Sequence, residues 1–140
     1  MNIFNLIIAF LAFSFTLSFL YFLIYGKITE KKFSSIADKF QKRFGYMPFP
    51  MIVGKSGGVI FWSYKESYLI CSLFLPKMPG TKKTLTQEEI AFFRNLDKNE
   101  ISWFYRKYLA FAVAMVSLIA TLILLKLKDS GLLLNAFTLK

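Results

Sequence analysis

The distribution of apolar residues divides the chain into two long uncharged runs and a mixed segment between them. The first run extends from Ile3 to Tyr25 and contains no Asp, Glu, Lys or Arg. A hydrocarbon layer of about 30 Å is crossed by about 20 apolar residues, because each helical residue rises about 1.5 Å. The run therefore predicts a transmembrane helix over residues 3–25. The alternative, a cleaved signal peptide, requires a basic start, a shorter apolar run and small residues at a cleavage site.

The second uncharged run covers 18 residues, from Tyr108 to Leu125. Arg106 and Lys107 precede it, and two further lysines follow it at positions 126 and 128. Its length and lack of charge predict a second transmembrane helix over residues 108–125. The alternative is the core helix of a soluble domain, which the presence of the first span disfavours. The remaining residues, 126–140, form a tail on the far side of this span.

The segment after the first span is basic and has a helical period. Apolar residues recur at offsets of 0, 3, 4, 7 and 11 from Phe33, which places them on one face of an amphipathic helix over residues 29–44. Thr29 is a candidate N-cap and Gly45 a candidate C-terminal glycine. The apolar face either lies in the lipid headgroup plane or packs on the rest of the segment, and the sequence leaves both alternatives open.

Residues 51–75 contain three short, apolar, β-favouring runs, at 51–53, 59–64 and 68–75. With a glycine-rich turn at 54–58, they predict a short antiparallel β-meander. A third span over 59–75 is disfavoured because Lys65 and Glu66 would lie within the membrane. A basic loop follows at 76–84, and then Thr86 and Glu89 form a capping box that begins a helix over 87–96. A further helix starts at Lys98. The expected fold class is thus an α+β membrane protein, with two antiparallel spans flanking a small domain at 27–107.

The net charge of +10, from 18 basic and 8 acidic residues, points to an anionic partner. Beside two spans we favour an anionic lipid surface or an acidic protein over nucleic acid. Near the span ends, ten Lys/Arg lie on the side of the long loop and four positive groups on the other. The positive-inside rule therefore predicts a cytoplasmic loop and external termini. We expect the membrane to be a bacterial inner (plasma) membrane. The residues expected at the membrane surface are Lys27, Lys31, Lys32, Phe33, Phe40, Lys42, Arg43, Trp103, Arg106 and Lys107.

Each span also carries a stripe of small or weakly polar residues. Membrane helices associate through close backbone approach and occasional hydrogen bonds, so these stripes predict a contact between the two spans, or with another membrane protein or a second copy. The stripes are Asn5, Ala9, Ala12 and Thr16 in the first span, and Ala110, Ala114, Ser117 and Thr121 in the second. The layout of two spans around a basic insert, with the apolar run Val116–Ala120, is similar to that of small bacterial inner-membrane proteins such as the universal stress protein B family. No function is carried over from this resemblance of layout.

Candidate chemistry is sparse. The chain has no His, which is the commonest general base, and a single Cys, so an intramolecular disulfide is impossible. Gly54–Ser56 resembles part of a P-loop, but Phe49 occupies the position of the required first glycine. We therefore expect no catalytic, cofactor-binding or metal-binding residues and no cofactor. The expected function is that of a non-enzymatic accessory or regulatory subunit. The alternative is a membrane immunity or exclusion factor, or a small pore-forming protein.

Overall fold

A computed structural model of the chain describes residues 3–56 and 62–130, and in these residues it contains eight α-helices and no strand. Helices account for 87% of the described residues. The expected α+β class and its β-meander are therefore wrong, and the fold is α-helical. The helices are α1 Ile3–Ile28, α2 Glu30–Phe44, α3 Phe49–Ser56, α4 Trp62–Lys65, α5 Ser67–Phe74, α6 Pro79–Thr84, α7 Gln87–Arg94 and α8 Lys98–Asp129.

The first predicted strand lies in α3, and the prolines explain why. The carbonyl of Pro48 accepts hydrogen bonds from the backbone N–H of Met51 (2.9 Å) and of Ile52 (3.1 Å), which closes the first turn. Pro50 lies in that first turn, where a missing N–H removes no helical hydrogen bond. The proline pair therefore begins a helix. Short apolar runs of this kind fit a strand or a buried helix equally well by periodicity alone.

Gly54, the first residue of the predicted glycine-rich turn, lies instead where α3 closely contacts α4. Gly54 is buried in α3 and faces Lys65 of α4. A Cβ atom added to Gly54 would lie 2.0 Å from the Cβ of Lys65. A residue without a side chain is thus required here for the approach of the two helices. Residues 57–61, which include the rest of the predicted turn and part of the second strand, lie outside the described residues.

The third predicted strand forms α5, and the basic segment predicted as a loop contains α6. Pro79 is the first residue of α6, a position that suits its fixed φ. The prediction for α7 is confirmed at its start. The Thr86 side chain accepts a hydrogen bond from the N–H of Glu89 (3.3 Å), and the Glu89 carboxylate accepts one from the N–H of Thr86 (2.6 Å). Gly45 ends α2 with a φ of 79°, as expected for a left-handed C-terminal glycine.

Within the described residues the chain forms two compact units, one from the ranges 1–25 and 105–140 and one from the range 26–104. We call them the two-helix unit and the insert unit. In the insert unit, four residues of the apolar face of α2 are buried in the core, namely Phe33, Ile36, Ala37 and Phe40, and Phe44 is partly buried. Phe40 stacks on Phe93 of α7 with ring centroids 5.3 Å apart, and its ring meets Phe92 edge to face. Of the two alternatives for this face, the structure shows packing within the insert unit.

Candidate membrane-facing surfaces

The two-helix unit is an antiparallel pair formed by α1 and α8. Two side-chain hydrogen bonds join the helices, from Lys128 Nζ to Asn5 Oδ1 (3.1 Å) and from Ser117 Oγ to Ser14 Oγ (3.4 Å). The ring of Phe22 on α1 also packs on the rings of Tyr108 and Phe111 on α8. As the residue number rises along α1 it falls along α8. Both helices are long and apolar enough to cross a membrane.

The outer surfaces of both helices are apolar and uncovered. Only 6% of the most apolar window of α1 and 11% of that of α8 are buried by protein. The core helix of a soluble protein would be mostly buried, so this burial disfavours the core-helix alternative. Large exposed side chains include Phe10 and Phe13 on α1 and Leu109 and Val116 on α8. A surface of this kind is compatible with a membrane protein, because lipid is as apolar as these side chains.

The predicted stripe on α8 lies on the inner side of the pair, whereas the predicted stripe on α1 does not. Ala114 is completely buried and Ser117 nearly so. On α1, however, Ala9 and Ala12 are exposed, and Thr16 donates its hydroxyl to the Ala12 carbonyl of its own helix. At about 100° per residue, Ser14 lies on the opposite side of α1 from the predicted stripe. Of that stripe, Asn5 contacts α8, through Lys128. Ala110 and Thr121 on α8 are partly buried.

The residues predicted for the membrane surface fall into two groups. The side chains of Phe33, Phe40, Trp103 and Lys107 are buried. Lys107 lies with its ammonium 5.1 Å from the ring centre of Phe22 and 5.5 Å from that of Tyr108, as cation–π contacts within the two-helix unit. The other six are exposed: Lys27, Lys31, Lys32, Lys42, Arg43 and Arg106.

Four of the exposed cations lie at the two ends of α2, and the helix dipole distinguishes them. Lys42 and Arg43 occupy the last turn, where the dipole favours cations. Lys31 and Lys32 occupy the first turn, where the dipole favours anions instead. The stability of α2 therefore explains the pair at its C-terminus and does not explain Lys31 and Lys32. These two lysines also lie within four residues of the end of α1.

An ion cluster with one buried member, Lys65, lies between α1, α2 and α4, inside the insert unit. Glu30 accepts hydrogen bonds from Lys27 Nζ (3.1 Å) and from Lys65 Nζ (3.3 Å). Lys65 is 1% exposed, and its ammonium also lies 5.1 Å from the ring centre of Phe33. The hydrogen bond from Lys27, opposed by burial and assisted by Lys65, holds the pKa of Glu30 below its ordinary value. Glu66, the next residue, is also buried.

Sequence reasoning had used Lys65 and Glu66 only as an argument against a third span. In the sequence, two adjacent charged residues between apolar runs indicate that a charge is buried. They do not show which residue pairs with Lys65. Glu30, 35 residues away along the chain, could be recognised as that partner only from the structure.

Comparison with protein-family models, with curated proteins and with solved structures gives no match. The class that the fold itself defines is therefore a helical protein with two helices of membrane-spanning length and a basic helical insert.

Proposed function

We propose that the chain is a non-enzymatic two-pass protein of the bacterial inner membrane, whose basic insert unit binds anionic lipid headgroups. In this proposal it acts as an accessory or regulatory subunit of a membrane assembly. The observation that carries the proposal is the exposure of Lys31 and Lys32 shortly after α1. They lie in the first turn of α2, where the helix dipole disfavours cations, so they do not stabilise that helix. Lysines beside a span are attracted to acidic lipids by about 1 kcal/mol each.

The antiparallel arrangement of α1 and α8 supports a topology with both termini on one side of the membrane and the insert unit on the other. The excess of Lys/Arg on the side of the insert favours the cytoplasm for that unit. The outer surfaces of α1 and α8 carry large apolar side chains, which suit lipid contact better than a water-filled lumen. We therefore prefer an accessory role to that of a pore-forming protein.

The proposal is tested by the affinity of the full chain for acidic lipid. The chain in mild neutral detergent is titrated with phosphatidylglycerol or phosphatidylcholine, and the bound lipid is measured by native mass spectrometry. In the variant Lys31→Gln/Lys32→Gln, affinity for phosphatidylglycerol should fall by about 2 kcal/mol, or roughly 30-fold. Affinity for phosphatidylcholine should stay the same.

A matched variant with the same change in charge is Arg94→Gln/Lys98→Gln. Both residues are exposed, and Lys98 lies ten residues before Tyr108 on α8. Arg94 and Lys98 are thus farther along the chain from the predicted spans than Lys31 and Lys32, which follow Tyr25 by six and seven residues. This variant should bind phosphatidylglycerol as the parent does. Equal losses in the two variants would reject a specific role for the first turn of α2, and no loss in either would reject the binding of acidic lipid by Lys31 and Lys32.

A further inference from the structure

The connection between α5 and α6 exposes apolar and basic side chains together. Leu75 is 39% and Met78 53% exposed, and Lys77, Lys82 and Lys83 beside them are also exposed. No acidic residue occurs between Glu66 and Glu88. We call Leu75–Lys83 the α5–α6 tip. Single exposed apolar residues are ordinary on protein surfaces, so the feature that needs an explanation is their combination with three uncompensated lysines.

The base of the α5–α6 tip is fixed to the insert unit. Phe74, at the end of α5, stacks on Phe104 with ring centroids 5.8 Å apart. Thr81 and Leu85, within and just after α6, are 3% and 4% exposed. A backbone hydrogen bond from the N–H of Met78 to the carbonyl of Leu75 (3.1 Å) closes the turn between them. Leu75 and Met78 are thus exposed on a turn whose flanking residues pack against the insert unit.

This combination matches the chemistry of an acidic bilayer surface. Apolar side chains lower their free energy by entering the boundary between headgroups and acyl chains, and flanking lysines are attracted to the phosphates. An acidic protein surface would satisfy the lysines but would leave Leu75 and Met78 in contact with polar groups. The two spans of the same chain hold the insert unit near a bilayer, which raises the effective concentration of that surface.

We propose that the α5–α6 tip is a second membrane contact, in which Leu75 and Met78 enter the headgroup region of an acidic bilayer while Lys77, Lys82 and Lys83 bind lipid phosphates. This inference rests on the proposed function and adds to it an inserted apolar anchor, separate from the lysines of α2. It also assigns a role to a segment that the sequence indicated only as a basic loop.

The test places an environment-sensitive nitrobenzoxadiazole label at the tip. The label is attached to Met78→Cys in a Cys71→Ala background, and the full chain is reconstituted in liposomes of phosphatidylcholine, with or without phosphatidylglycerol. The expected result is a blue-shifted emission and slowed dithionite reduction of the label in the acidic liposomes only. A label at Ala91→Cys, an exposed position on α7 close to Glu88, is the matched control and should show neither change.

The charge dependence is tested with Lys77→Gln/Lys82→Gln/Lys83→Gln in the labelled chain. Each lysine near an acidic surface favours binding about fivefold, so the ratio of inserted to free tip should fall on the order of 100-fold and the blue shift should disappear. Persistence of the shift in this variant would overturn the proposal. So would an unchanged emission on addition of phosphatidylglycerol, or a shift that depends on the ratio of protein to lipid, which would indicate contact between copies of the chain.

The outcome separates this inference from the proposed function. If the label at position 78 shows no insertion while Lys31→Gln/Lys32→Gln still weakens binding of phosphatidylglycerol, the tip proposal fails and the proposed function stands. If both measurements are negative, both proposals fail.

Discussion

Replacement of Gly54 by Ala tests the close contact between α3 and α4. The new Cβ would lie 2.0 Å from Lys65 Cβ, and 2.7 Å and 2.8 Å from its Cδ and Cγ. The nearest of these atoms is attached to the backbone, so a change of side-chain rotamer cannot remove the clash. Ordinary contact begins at 3.4 Å, and the two helices would therefore separate by about 1.4 Å at this point.

The sign of the effect distinguishes this contact from ordinary helix propensity. In an uncrowded helix, Gly→Ala stabilises by up to about 1 kcal/mol. Overpacking of a core costs typically 1–3 kcal/mol, and a clash that moves backbone belongs at the upper end. We expect a net loss of about 2 kcal/mol, which corresponds to a fall in Tm of roughly 8–16 °C for a domain of this size.

The assay is thermal unfolding of the full chain in mild detergent, followed by tryptophan fluorescence. Both tryptophans, at positions 62 and 103, lie in the insert unit, so the signal reports on that unit. Gly80→Ala is the matched control, because it changes a helical glycine with open space around its Cα. Its Tm should stay the same or rise. A Gly54→Ala variant as stable as Gly80→Ala would refute the contact between Gly54 and Lys65.

Three further predictions concern the helix pair, the ion cluster and the end of α2. Ala114→Leu should disrupt the two-helix unit and lower the yield of folded chain on size-exclusion chromatography, whereas Ala12→Leu on the exposed side of α1 should not. Lys27 lowers the pKa of Glu30, so the resulting stability is present above the ordinary pKa of 4.5 and is lost as the pH falls through the lower pKa of the folded chain. Melting curves from neutral pH downward should show this loss in the parent and not in Glu30→Gln. Gly45→Ala should cost about 1–2 kcal/mol in the same assay, because an L-residue is strained at a φ of 79°.

The sequence predicted best those features that depend on local chemistry. The two long apolar helices follow from uncharged length. The helix start at Thr86 follows from a side chain that caps a backbone N–H, and the helix end at Gly45 follows from the freedom of glycine to adopt a positive φ. These features need no knowledge of distant contacts. The β-meander failed because residues 51–75 have apolar runs too short to separate strand from helix, and their form is decided by packing. Gly54 shows the reason: its role is to accept a lysine side chain from the next helix.

Of the predicted stripe on α1, Ala9 and Ala12 do not face α8, and the reason is related. Small residues permit close approach, but they do not require it, and in a membrane Ala9 and Ala12 can face lipid without cost. The face of α1 that contacts α8 carries Phe22, whose ring packs on those of Tyr108 and Phe111 at 6.1 Å and 5.1 Å between centroids. Aromatic rings bury more surface than alanines, so they outweigh the small stripe in setting the rotation of the helix.

The ion cluster and the exposed lysines of α2 are consequences of one arrangement. The ammonium of Lys65 is buried, so the loss of its hydrogen bond to Glu30 would be unfavourable. This penalty fixes Glu30 on the inner side of the first turn of α2. Because successive helical residues are rotated by about 100°, Lys31 and Lys32 are then directed away from the cluster, and both are exposed. The buried charge of α4 thus orients the cations that follow α1, and this orientation exposes them as the proposed binding of acidic headgroups requires.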